Sequence, residues 1–169
     1  MAILDSGDRT KFGTGAVRDI QLGKGRADLL PLFEVEKMFA LEWIGMDYAY
    51  STVLSFLEMY KETGDSDFLI KAAKVFANEA FSDEYTAIIE FSIHLEDGAK
   101  KYGGRNWQKG IPTDRYIDSA TRHYLKWKRG DQDERHDRAC LWNLLCGAWT
   151  SNKLPELEVY PYKEVKTDA

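Results

Sequence analysis

The stretch His136-Asp-Arg-Ala-Cys-Leu-Trp-Asn-Leu-Leu-Cys-Gly-Ala-Trp-Thr150 decides the fold. From Ala139 onward it is apolar on nearly every side, so a helix formed from it belongs in the centre of a bundle. That helix is expected over about 133–150. Within it His136 and Asn143 stand seven residues apart on one line, bordered by the small residues Ala139, Cys140 and Gly147. A buried histidine and asparagine need hydrogen-bonding partners. Those partners are either neighbouring side chains, giving a structural polar network, or a metal ion or bound ligand.

Working outward, the preceding segment predicts a helix over about 113–128, closed by Gly130, that packs through Tyr116, Ile117, Ala120, Tyr124 and Trp127. Its opposite face carries Asp118, Arg122 and Leu125. A surface pair at i,i+4 accounts for Asp118 and Arg122, while Leu125 argues that this face is also covered. His123, at the border of the apolar stripe, is either a core-edge histidine or a ligand. Further upstream, a helix over about 83–102 is expected, capped by Ser82 and ended by Gly103-Gly104, with its stripe at Ile88, Ser92, Leu95, Ala99 and Tyr102. Glu96 sits at the edge of that stripe. It either faces the interior or pairs with Lys100. Glu90, His94 and Asp97 are expected in solvent. Three more helices are predicted over about 33–46, 48–60 and 67–80, with a break at Thr63-Gly64-Asp65. Strand alternation is scarce, and the tail Leu157-Glu-Val-Tyr160 is a short edge strand or an extended arm. The fold class expected is all-α, a helical bundle with an extended glycine-rich basic N-terminal segment.

Composition bounds the rest. The chain has 169 residues, 44% hydrophobic, 30% charged and 13% aromatic, with a formal net charge of −5. That length suits one domain over 1–169, with a helical insertion at about 32–90. The aromatic content excludes disorder. Two cysteines, Cys140 and Cys146, make neither a disulfide scaffold nor a zinc site. The acidic balance disfavours a generic nucleic-acid binder, and no apolar run approaches a membrane span or signal peptide.

Chemistry concentrates in two glycine-rich basic segments. The first, residues 1–31, is either a loose arm or an ordered loop whose backbone amides and basic side chains hold an anion. The second is Lys100-Lys-Tyr-Gly-Gly-Arg-Asn-Trp107 and its continuation to Pro112. Three helices can bring Glu96, Asp118, His136 and Asn143 to one cavity. Carboxylate oxygens with waters suit Mg²⁺ or Mn²⁺ better than zinc. Lys24, Arg26, Lys100, Arg105 and Lys109 suit the phosphates of a metal-bound nucleotide. Trp107 either stacks on a base or anchors its loop.

Several motifs, taken in order, resemble a known family. They are Ser6-Gly-Asp-Arg9, Thr14-Gly-Ala-Val-Arg-Asp19, Lys24-Gly-Arg-Ala-Asp-Leu-Leu-Pro31, His94-Leu-Glu-Asp-Gly-Ala-Lys-Lys-Tyr-Gly103, Arg105-Asn-Trp-Gln-Lys-Gly-Ile-Pro112, Asp118-Ser-Ala-Thr-Arg-His123 and His136-Asp-Arg-Ala-Cys-Leu-Trp-Asn143. The set is similar to the dATP/dGTP diphosphohydrolase N-terminal domain family, common in phages and prophages. The resemblance implies hydrolysis of a purine deoxynucleoside triphosphate to the monophosphate and pyrophosphate, in the cytoplasm of a bacterial cell. It also implies kinship with MazG-like, all-α, Mg²⁺-dependent pyrophosphohydrolases, which are usually homo-oligomers. This chain departs from those relatives in lacking their dense Glu-x-x-Glu and Glu-x-x-Asp motifs. The implied catalytic and metal-holding residues are Glu96, Asp118 and His136. The implied substrate contacts are Arg9, Arg18, Lys24, Arg26 and Asp28 from the first segment, Lys100, Arg105, Asn106, Trp107 and Lys109 from the second, and Arg122, His123 and Asn143 from the helices. Two other readings compete. The dipeptide His136-Asp137 is that of an HD-type phosphohydrolase, which releases intact triphosphate, and the helices alone are compatible with a non-catalytic nucleotide-binding or assembly module.

Overall fold

The computed structural model describes residues 26–32, 34, 35, 38 and 52–162, and the backbone of residues 9–11 and 17–19. Lys24, the side chains of Arg9 and Arg18, and most of the helix expected over 33–46 lie outside the described residues.

The class is all-α. Among the described residues five helices follow one another: α1 (Val53–Thr63), α2 (Asp67–Ala80), α3 (Glu84–Tyr102), α4 (Thr113–Arg129) and α5 (His136–Lys153). Leu32, Glu34, Val35 and Met38 are also helical, and the last three are buried. A three-residue strand pair was not expected. β1 (Arg9–Lys11) runs antiparallel to β2 (Val17–Asp19), with Arg9 opposite Asp19 and Lys11 opposite Val17.

Helix α5 is central, as its all-round apolarity requires. It packs on α2, α3 and α4, and Leu141, Leu144, Leu145, Cys146 and Ala148 are wholly buried. Both cysteines are free, and burial pushes their thiols well up. The helix starts at His136 rather than near residue 133, because Asp133 and Glu134 fold into the connection from α4. Helix α4 ends where expected. Gly130 takes a left-handed φ of 85° and donates its amide to the carbonyls of Lys126 and Trp127, closing the last turn. Leu125, however, is 53% exposed, so the Asp118 face of α4 is open, not covered. In α3 the cap is Asp83, not Ser82: its carboxylate accepts from the Thr86 amide at 2.8 Å. Tyr102 leaves the α3 stripe and is exposed.

Two segments are laid onto this bundle. A 3₁₀ turn, Ala27–Leu29, docks on α3. The Arg26 amide donates to the Ser92 carbonyl at 2.8 Å, and Leu29 is buried. The tail, expected as an edge strand or extended arm, forms a second 3₁₀ turn, Pro155–Leu157, and then runs extended. It crosses the α1–α2 turn, where Gly64 has φ +70° and faces the Tyr160 carbonyl; a Cβ there would lie 2.5 Å from that oxygen. A left-handed, crowded position of this kind penalises any side chain. Gly64→Ala is expected to cost about 2 kcal/mol of unfolding free energy, read as a lower urea midpoint. An unchanged midpoint would show that the tail does not press on this turn.

Candidate functional site

The glycine-rich segment after α3 makes one wall of a cavity. Gly103 ends α3 with φ +88°, and Arg105 follows in the left-handed region at φ 62°, uncommon for a side-chain-bearing residue. The chain then winds into a 3₁₀ turn, Asn106–Lys109, which buries Trp107. Trp107 packs edge-on against Trp149 of α5, with ring centroids 4.9 Å apart. The cavity between this turn, α3 and α5 has a volume of about 330 Å³, and its walls include Leu29, His94, Tyr102, Arg105, Asn106, Trp107 and Trp142. That size falls within the range of small-molecule sites, which are mostly apolar with few polar groups. One polar group has no counterpart. The indole Nε1–H of Trp107 is buried and has no hydrogen-bond partner among the described residues. A buried donor left unpaired costs free energy unless something supplies an acceptor.

A charged group lies where the Ala27–Leu29 turn docks on α3. Arg26 makes a two-pronged bond to Asp28, both contacts at 2.7 Å, and this bond holds the Asp28 carboxyl below the usual carboxylate range. The charge of Glu96 acts on Arg26, and that of Arg105 acts on Asp28. Glu96 is 5% exposed and pairs with Lys100 at 3.0 Å. His94 was expected in solvent. Instead it lines the cavity and faces Trp142, with ring centroids 6.0 Å apart. Burial pushes its imidazole below the ordinary histidine range, against the opposing pull of Asp97.

A second cluster lies where α4 leads into α5. The Nδ1 atoms of His123 and His136 are 3.0 Å apart. Glu134 Oε1 lies 3.2 Å from each of them. The other face of the His136 ring is fixed by Asp133, whose Oδ1 is 2.7 Å from Nε2. Lys126 holds the second oxygen of Asp133 at 2.9 Å. Those two bonds, Lys126 first, keep the Asp133 carboxyl well below the usual range. Burial pushes His123 down, against the charge of Glu134. The charges of His123 and Glu134 reach His94 in the cavity wall.

The expected site residues therefore divide. Arg105, Asn106 and Trp107 line the cavity. Arg26, Asp28, Glu96 and Lys100 are not among its walls and form a charged group linked by the Arg26–Asp28 and Glu96–Lys100 pairs and by the charge of Glu96 on Arg26. His123 and His136 come together at the second cluster. Asp118 joins neither. It is exposed and bonded to Arg122 at 2.6 Å, and the two share a shallow surface groove with Lys126 and Arg129. Asn143 is buried, and its amide donates to the Ala139 carbonyl at 2.8 Å within its own helix. Lys109 is exposed. Asp137, the second member of the His-Asp dipeptide, bonds Arg135 at 2.7 and 3.0 Å. Glu134, Asp133, His94 and Trp142 were not singled out as site residues. Only the density of acids ahead of His136 pointed toward the first two.

No curated protein matches the chain, and no solved structure does. A sequence-family model does match, over residues 82–158, which is α3, the Trp107 turn, α4, α5 and the Pro155–Leu157 turn. The motifs before residue 82 lie outside that match. Over 82–158 the chain matches the family described as dATP/dGTP diphosphohydrolase, N-terminal.

Proposed function

We propose that the protein hydrolyses purine deoxynucleoside triphosphates, dATP and dGTP, to the monophosphate and pyrophosphate. The observation that carries this reading is the cavity at Trp107, whose walls apart from Leu29 all belong to the matched segment. Tyr102, Trp107 and Trp142 offer ring faces and edges to a purine. The unpartnered Nε1–H of Trp107 donates to an acceptor on the substrate, such as a ring nitrogen. Arg105, Lys100 and Arg26 counter the triphosphate charge. Water attacks the α-phosphorus, and pyrophosphate leaves in line.

The resemblance implies Mg²⁺ or Mn²⁺. Mg²⁺ keeps most of its waters and is held by one or two carboxylates and substrate phosphates. Of the expected carboxylates Glu96 is the buried one, and it would hold such an ion only by exchanging its present partner, Lys100 at 3.0 Å. When bound, the ion neutralises phosphate charge and acidifies water. Asp118, exposed and paired to Arg122, offers no converging oxygen.

The test is incubation of the protein with each of the four deoxynucleoside triphosphates, with Mg²⁺ and separately with Mn²⁺. Purine substrates are expected to yield equal amounts of monophosphate and pyrophosphate. No turnover of either purine triphosphate would reject the reading. Release of intact triphosphate would support the HD-type alternative instead.

A further inference from the structure

We infer that His123, His136 and Glu134 form a binding site for one divalent transition-metal ion of the zinc class, separate from any ion carried by a nucleotide. Bonds of about 2.0–2.1 Å to nitrogen and oxygen place neighbouring donors about 2.9 Å apart at octahedral angles and about 3.3 Å apart at tetrahedral ones. The three donor atoms here form a triangle with sides of 3.0, 3.2 and 3.2 Å, so one ion on its axis reaches all three.

The arrangement of lone pairs points the same way. In the tautomer whose Nε2–H donates to Asp133, the Nδ1 of His136 carries the lone pair. That lone pair faces the Glu134 carboxylate and the Nδ1 of His123. Without a cation, in that tautomer one proton on the His123 Nδ1 has to serve two acceptors, the His136 Nδ1 and the Glu134 oxygen. A cation at the centre satisfies all of them. The carboxylate behind the ring, itself held by Lys126, is the outer support that metal-bound histidines commonly have. Asp133 is thus a positioning residue rather than a ligand.

Two imidazole nitrogens and one carboxylate suit Zn²⁺, Fe²⁺, Co²⁺ or Ni²⁺, whereas Mg²⁺ prefers oxygen alone. Glu134 is half exposed and His123 is near the surface, which leaves a coordination position for water. The ion would clip α4 to the start of α5, beside the His94 wall of the cavity.

The experiment uses the full chain, stripped with a chelator and then titrated with Zn²⁺ against a chromophoric competitor, and with Co²⁺ by visible absorption, in excess Mg²⁺. One ion per chain is expected, with Co²⁺ bands of low-coordinate geometry that excess Mg²⁺ does not displace. His123→Ala and Glu134→Gln should each weaken Zn²⁺ binding tenfold or more, and Asp133→Asn about tenfold. Glu134 is exposed enough that its variant stays folded, which circular dichroism checks. Absence of stoichiometric binding by the folded wild-type chain would overturn the inference, as would wild-type affinity in the Glu134→Gln variant. Either failure would show that the cluster is a hydrogen-bonded histidine pair, and neither touches the nucleotide reading.

Discussion

Trp107→Ala is expected to lower unfolding free energy by about 4 kcal/mol and to abolish purine triphosphate turnover. The side chain is 6% exposed, and its ring packs edge-on against Trp149. Truncation removes that contact and opens a void under the whole 103–112 connection. The companion variant separates packing from recognition. Trp107→Phe keeps a ring in place and removes only part of the volume, so it costs about 1 kcal/mol. It also deletes a buried donor that has no partner among the described residues, which relieves the free protein. Its KM for dATP and dGTP should nevertheless rise about tenfold, the worth of one good hydrogen bond to substrate. A Phe variant with unchanged KM would show that Nε1 does not meet the nucleotide.

The second large effect is at Glu158. Its carboxylate accepts from the Tyr60 hydroxyl at 2.7 Å, the Thr113 hydroxyl at 2.8 Å, the Tyr160 amide at 2.9 Å and the Ser151 hydroxyl. Those donors come from α1, the first residue of α4, the tail itself and α5, so one side chain ties the tail to three helices. Glu158→Ala leaves several part-buried donors unpaired and is expected to cost about 3 kcal/mol. Glu158→Gln retains one acceptor oxygen and should cost markedly less. Thermal unfolding of the three proteins checks this order. Equal melting temperatures for wild type and the alanine variant would mean that the tail is not held this way.

How far the fold was legible follows from what each residue had to specify. The limits of α4 are written locally, in Pro112 and Gly130, and the centrality of α5 in its near-continuous apolarity from Ala139 onward. Helical periodicity finds the largest apolar stripe, and it found that of α3. It cannot find a second covered side. His94 lies beside the stripe and is expected in water, yet Trp142 and the Trp107 turn extend the cover to it. The same limit worked in reverse for Leu125, whose apolarity argued for a cover the fold does not supply.

The candidate site was legible as two basic glycine-rich segments and a few polar residues, but not as their grouping. Arg26 comes within reach of the Glu96 charge because a 3₁₀ turn docks on α3 through Leu29 and the Arg26 amide, a contact between segments far apart in sequence. The His123 cluster depends on α5 starting at His136. With the helix started near residue 133, Asp133 and Glu134 become surface acids of its first turn. In the connection they instead bracket the His136 ring on both sides.

Hydrolysis of dGTP in water carrying heavy oxygen, with mass analysis of both products, tests where the water attacks. Attack on the α-phosphorus places the heavy atom in the monophosphate and leaves pyrophosphate unlabelled. Label in pyrophosphate, or release of intact triphosphate, would contradict the account.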